Sequence, residues 1–300
     1  MNYDTVIIGA GRQAVREARR VSTGSDRVVL IVPSDNSAPT STHILPALKK
    51  LGQPAGNCWS RLQQEVRRLM QIQGEQDLAQ LTSQGVDVVR GQVRFDDSYS
   101  ISVTTVDGKE SISGESFVLA CGTAPRELGH LPFDGQRILS PDDLLSLPQA
   151  PGSAVVIGAG KKGLETATLL ARLGIAVTVV DEHANQFDLC GGLMSLDLLE
   201  AQSLNIAFRL GDEVIGVEGD SGPAMPATIR LASGRRLTAD AVVVAIGRVG
   251  RTAGMNLEVA GVGIDEHGRV WCDAQGQTWA PHITAVGDVI GFRTAVGLAG

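Results

Sequence analysis

The stretch VVIGAGKKGLE, residues 155–165, runs from an apolar strand through a glycine turn into the start of a helix. In it Gly158 permits the tight turn, Gly160 lets a phosphate approach the backbone, and Gly163 lets helix and strand pack closely. The pyrophosphate of a dinucleotide rests on the unpaired N–H groups of such a helix start. Asp181 ends the next strand about 20 residues on, placed to accept hydrogen bonds from both adenosine ribose hydroxyls. Its charge repels a 2′-phosphate and no arginine follows it in DEHANQ, so the pattern favours NAD(H), with NADP(H) possible. An Asp181 that merely ends a strand is the alternative reading.

The chain has already opened on a similar stretch, VIIGAGRQA at residues 6–14. Its fingerprint is Gly9, Gly11 and Ala14, alanine in third place still allowing close packing. The helix begins with the large residues Arg12 and Gln13, and the next strand ends in Val32, where an acidic ribose ligand is expected. Ser34 or Asp35 in the following loop are substitutes. A purely structural βαβ turn is the alternative.

Around these turns the chain reads as α/β. Three hundred residues suit about two domains. A hydrophobic fraction of 43% with 20% charged residues is ordinary for a soluble α/β protein. A net charge of −7 leaves no cationic field for nucleic acid or anionic membrane. No apolar run approaches the roughly 20 residues that span a bilayer, and MNYDTVIIGAG lacks a leader's charged start, so a cytoplasmic chain is expected. Cys58, Cys121, Cys190 and Cys272 are widely spaced, which predicts small buried hydrophobes rather than disulfides or a metal site.

A helix is predicted over Arg12–Val21, then a strand at 27–32, a polar loop at 33–42, and an amphipathic helix from Trp59 with Leu62, Val66 and Leu69 on one face. Short strands follow, with Asp107–Gly108 as a hairpin turn. The segment LPQAPGS at 147–153 marks the boundary after which the βαβ pattern restarts, with a helix over Leu164–Leu173. The strands in TIRLASGRRLTADAVVVAIG complete the second sheet, and PHITAVGDVIG returns to the first domain. The expected domains are 1–148, 149–248 and a return segment 249–300.

The motifs VIIGAG, LACGTAP (119–125), VVIGAGKKGLE, VVAIGRVGRT (243–252) and ITAVGDVIG (283–291) occur in an order that resembles the FAD-dependent pyridine nucleotide-disulfide oxidoreductase family. The resemblance implies two Rossmann-like domains, the second inserted in the first. FAD would lie on the first fingerprint and NAD(H) on the second. It implies that Asp288 of the GD turn hydrogen-bonds the flavin's ribityl chain and that Gly122 and Gly247 line the cofactors. It also implies that Glu165 lies between flavin and nicotinamide and pairs with a lysine. An exposed Glu165 in the helix's first turn is the alternative.

The chain departs from the family in three places. Where disulfide reductases carry C-x₄-C before a helix starting IPSK, it has NSAPTSTHILPALKK with no cysteine, which removes the thiol relay and leaves Thr42-His43 before the helix. Alignment puts Leu48 at the lysine's place and Lys49 one residue later; Lys49 either reaches Glu165 through its stem or is surface charge. Finally, the sequence stops at TAVGLAG, inside the helix expected after the GD turn, so a shortened gene product or a fragment without the family's C-terminal interface domain is expected, and with it no usual homodimer.

The expected function is therefore a transhydrogenase-like flavoenzyme moving hydride from NAD(P)H through flavin to another pyridine nucleotide or a small acceptor. Glu165 and Lys49 are its catalytic candidates, without a metal. The alternatives are a divergent, non-catalytic dinucleotide-binding protein and an NAD-only module.

Overall fold

The structure, a computed structural model, describes residues 1–22, 26–33, 44, 47, 58–184, 203–218 and 226–291. The chain forms two compact units, one of residues 1–37, 72–124 and 248–300, the other of 38–71 and 125–247.

The first unit starts with β1 (Asn2–Ile8), α1 (Arg12–Val21) and β2 (Val28–Val32), followed after α2 (Cys58–Ser83) by β3 (Asp87–Arg90). The order of its sheet is β3-β2-β1, then β6 (Gly108–Leu119), β5 (Ser100–Thr105) and β4 (Gln92–Phe95). β6 does two jobs. Its first half pairs antiparallel with β5, and its second half pairs parallel with β1 and with the strand Ile283–Ala285. The hairpin between β5 and β6 turns on Val106 and Asp107, with Gly108 already in β6 at φ +138°.

VVLIV is buried at every position of β2 because a parallel sheet is covered on both faces. Successive side chains alternate. Ile7, Leu30 and Val118 join Ala14 and Ala18 of α1, while Val6, Ile8, Ile31, Phe117 and Leu119 form the opposite layer with Phe95 and Ile283.

In the second unit the parallel sheet runs Ala207–Leu210, Ala176–Asp181, Ser153–Ile157, Ala241–Val244 and Ile138–Leu139. The helix α3 (Lys161–Arg172) follows the strand Ser153–Ile157. Ile138 and Leu139 pair with Val242 and Val243, and the long segment of this unit starts at Pro125, upstream of LPQAPGS. Val214–Glu218, Ala227–Leu231 and Arg236–Ala239 form a separate antiparallel sheet, so of the segment TIRLASGRRLTADAVVVAIG only Ala241–Val244 joins the parallel one. α2 contributes residues 58–71 to the second unit and the rest to the first. Its Leu62 and Val66 are buried in the second unit's core, and Trp59 Nε1 donates to Leu147 O at 2.9 Å. Among the described residues no helix is long and apolar enough to cross a membrane.

Candidate dinucleotide-binding turns

In each unit the strand register brings the motif residues together. In the first, Ile8 pairs with Leu119, and Leu119 with Ala285, so the carboxyl ends of β1, β6 and the strand Ile283–Ala285 lie side by side. That edge gathers Gly9, Gly122 and Asp288, at the place where open α/β sheets bind ligands. In the second, Ile157 pairs with both Val180 and Val244, gathering Gly158, Asp181 and Gly247.

The glycines fall into two kinds. A methyl on Gly9 would sit 2.2 Å from Ala120 O, one on Gly158 2.7 Å from Ala245 O, and one on Gly163 1.9 Å from Gly158 O. Backbone crowding by the protein itself demands these three. Among the described residues nothing lies within 4 Å of the Cβ position of Gly11 or of Gly160. Each caps its helix at φ −79° and φ −68°, a conformation open to any residue. No described residue requires glycine at these two positions, and both turns present bare backbone at a helix start. The cradle fits a pyrophosphate.

Ala14, on the buried face of α1, is fully buried, as the third fingerprint position requires. Gly122 and Gly247 have φ +67° and +119°, where glycine is favoured on backbone grounds alone. Gly287 at φ +80° rests on the start of α1, its Cβ position 3.0 Å from Gln13 Cγ, and the exposed Asp288 follows it.

Asp181 is buried at 8% exposure and already has three donors. Its Oδ2 accepts the Ala159 N–H at 2.6 Å, and Oδ1 accepts the His183 N–H at 2.9 Å and faces His183 Nδ1 at 2.7 Å. A carboxylate offers about four acceptor sites, so one ribose hydroxyl fits without displacing His183. Val32 stands at the matching end of β2 with no such group. The first turn thus fits the pyrophosphate of FAD, while the ribose ligand is missing from its second strand. Ser34 and Asp35 lie outside the described residues.

Glu165 is half-buried in the second turn of α3, and its Oε2 is 3.5 Å from Lys162 Nζ. This partner was legible, since residues three apart share a helix face. Lys49, Leu48, Thr42 and His43 lie outside the described residues.

Cys121, beside Gly122, is 2% exposed, and burial pushes its thiol up to about 12. It is protonated at neutral pH and unsuited to thiol relay. Cys272 is only partly buried, unlike the sequence expectation, and flanks Trp271. Cys190 and the side chain of Cys58 lie outside the described residues. Iodoacetamide at pH 8 is expected to label Cys272 well before Cys121 in the folded protein, read by peptide mapping. Equal rates would mean that the 120–122 turn opens readily. Among the described residues no group of three or more His, Cys, Asp or Glu is arranged to hold a metal.

A family model described as pyridine nucleotide-disulphide oxidoreductase matches residues 3–299. A soluble pyridine nucleotide transhydrogenase of Mycobacterium tuberculosis (strain ATCC 25177 / H37Ra) is 38% identical over 220 residues, covering 71% of this chain and 46% of the relative. One from Pseudomonas paraeruginosa (strain DSM 24068 / PA7) is 27% identical over 321 residues, covering 99% of this chain and 68% of the relative. The chain therefore spans about half the length of its mycobacterial relatives. Among solved structures, LpdA from Mycobacterium tuberculosis superposes with a TM-score of 0.79 at 24% identity, over 99% of this chain and 70% of that one. The HOCl-induced flavoprotein disulfide reductase RclA from Escherichia coli gives 0.79 at 23% identity, over 96% and 66%. These two likenesses establish the fold.

Proposed function

The chain belongs to the pyridine nucleotide-disulphide oxidoreductase family, and from that premise we propose that it is a cytoplasmic flavin-dependent oxidoreductase, transhydrogenase-like rather than a disulfide reductase. The family uses FAD and NAD(P)H. The observation that carries the reading is the pair of capping glycines, Gly11 and Gly160, which no described residue demands and a bound pyrophosphate does. Hydride would enter from NAD(P)H and leave to a second pyridine nucleotide or another small acceptor.

Bound FAD would supply the redox chemistry; the protein contributes binding, orientation and charge. Residues 9–14 and Gly122 would hold its ADP half, with Asp288 on the ribityl chain. Residues 158–163 would hold the nicotinamide dinucleotide, with Asp181 fixing the adenosine ribose. Glu165, balanced by Lys162 or Lys49, would place a negative charge beside the nicotinamide. The sequence around Thr42-His43 has no cysteine pair, and burial raises the Cys121 thiol, which supports a reading without a thiol relay at that site.

The test is the visible absorption spectrum of the purified protein before and after anaerobic NADH. A flavin band that bleaches with NADH is expected, and Gly11→Val should strip the flavin by blocking the pyrophosphate. A colourless protein that also fails to take up added FAD would overturn the reading. It would leave the NAD-only or non-catalytic alternative, which Val32 favours.

A further inference from the structure

The two glycine turns are built alike, so their positions can be matched by hydrogen bonding. Gly9 N–H donates to Ile31 O at 2.9 Å, and Gly158 N–H to Val180 O at 2.8 Å. Ala120 N–H donates to Ile8 O at 2.8 Å, and Ala245 N–H to Ile157 O at 2.8 Å. Gly91 N–H donates to Val32 O, and Asp212 N–H to Asp181 O, both at 3.1 Å. Val32 therefore holds the place of Asp181.

On the neighbouring strand, Val32 is in register with Arg90, and Asp181 with Leu210. Parallel partners in register point to the same face of a sheet. One unit thus sets a carboxylate beside an apolar side chain at the adenosine end of its turn. The other sets an apolar side chain in register with an arginine. Arg90 is exposed, as is Arg12, which opens α1 in a first turn without acidic residues.

A carboxylate at the strand end accepts a 2′-hydroxyl and repels a 2′-phosphate, whereas an arginine nearby accommodates the phosphate. Arginine does so with charge-assisted, bidentate hydrogen bonds. We propose that the first turn of this chain accepts an adenosine 2′-phosphate, with Arg90 as the specificity-determining residue. A 2′-phosphorylated dinucleotide then competes with FAD there. The proposal rests on the reading of residues 9–14 as a dinucleotide turn.

The probe is 2′,5′-ADP, compared calorimetrically with 3′,5′-ADP, an isomer of equal charge. The 2′-isomer is expected to bind at least about tenfold tighter, a preference of the size one bidentate pair provides. The preference should disappear in R90E and R90Q and persist in D181A. V32D, which restores a carboxylate, should reverse it independently of Arg90. Equal binding of the two isomers overturns the proposal, and so does a preference that survives both Arg90 variants. Flavin absorbance is read on the same samples. A protein that takes up FAD, but whose flavin-free form shows no 2′-phosphate preference, would sink the inference and keep the flavoprotein reading. An Arg90-dependent preference in a protein that never takes up flavin would do the reverse.

Discussion

Gly160→Ala is expected to keep the stability of the parent protein and lose tight NADH binding, while Gly163→Ala, three residues along the same helix, is expected to lose stability. Gly160 has ordinary backbone angles and an empty Cβ position. A methyl there restricts the unfolded chain, a gain of about 0.4–1 kcal/mol that the weaker helix cap offsets. It also stands where the pyrophosphate must approach. Losing one or two hydrogen bonds to a charged group costs about 1.5–3 kcal/mol each, so affinity should fall roughly ten- to a hundredfold or more. At Gly163 the added carbon meets a backbone carbonyl at 1.9 Å, which cannot swing aside like a side chain. Helix and strand must separate, at about 1–3 kcal/mol or more, lowering Tm by roughly 4–10 °C. Calorimetry and NADH fluorescence titration measure the two effects separately. NADH bound at full affinity by Gly160→Ala would place the pyrophosphate elsewhere.

Removing Asp181 is expected to affect both stability and cofactor choice. Asp181→Ala leaves the buried Ala159 N–H and the His183 N–H without their acceptor, a cost of about 1–3 kcal/mol. NADH should bind at least about tenfold more weakly as the ribose loses its partner. Asp181→Asn separates charge from shape, since its amide oxygen still accepts a backbone N–H. NADPH should gain on NADH in this variant, because no carboxylate remains to repel the 2′-phosphate. The ratio of the two dissociation constants is the readout. A ratio unmoved by both substitutions would remove Asp181 from the ribose site.

The sequence by itself determined the α/β class of this protein and the place of its two glycine turns. Apolar runs such as VVLIV and AVVV are buried along their whole length, a pattern a parallel sheet produces because helices cover both faces. The glycine spacings located both turns, since close backbone approach demands Gly9, Gly158 and Gly163. Asp181 was visible because it ends its strand at a fixed distance from the turn.

Tertiary structure decided what depends on register and on space. Sequence marks Gly11 and Gly9 alike, but only the coordinates show that Ala120 O crowds one while open space faces the other. The three donors around Asp181 also needed coordinates, because the Ala159 amide is 22 residues away along the chain. So did the placement of Ile138–Leu139 in the second sheet, fixed by pairing with residues about a hundred positions later. Arg90 carried no motif at all. Its position beside Val32 is a consequence of which strand lies next to β2 and in what register, and local sequence does not encode such long-range pairing.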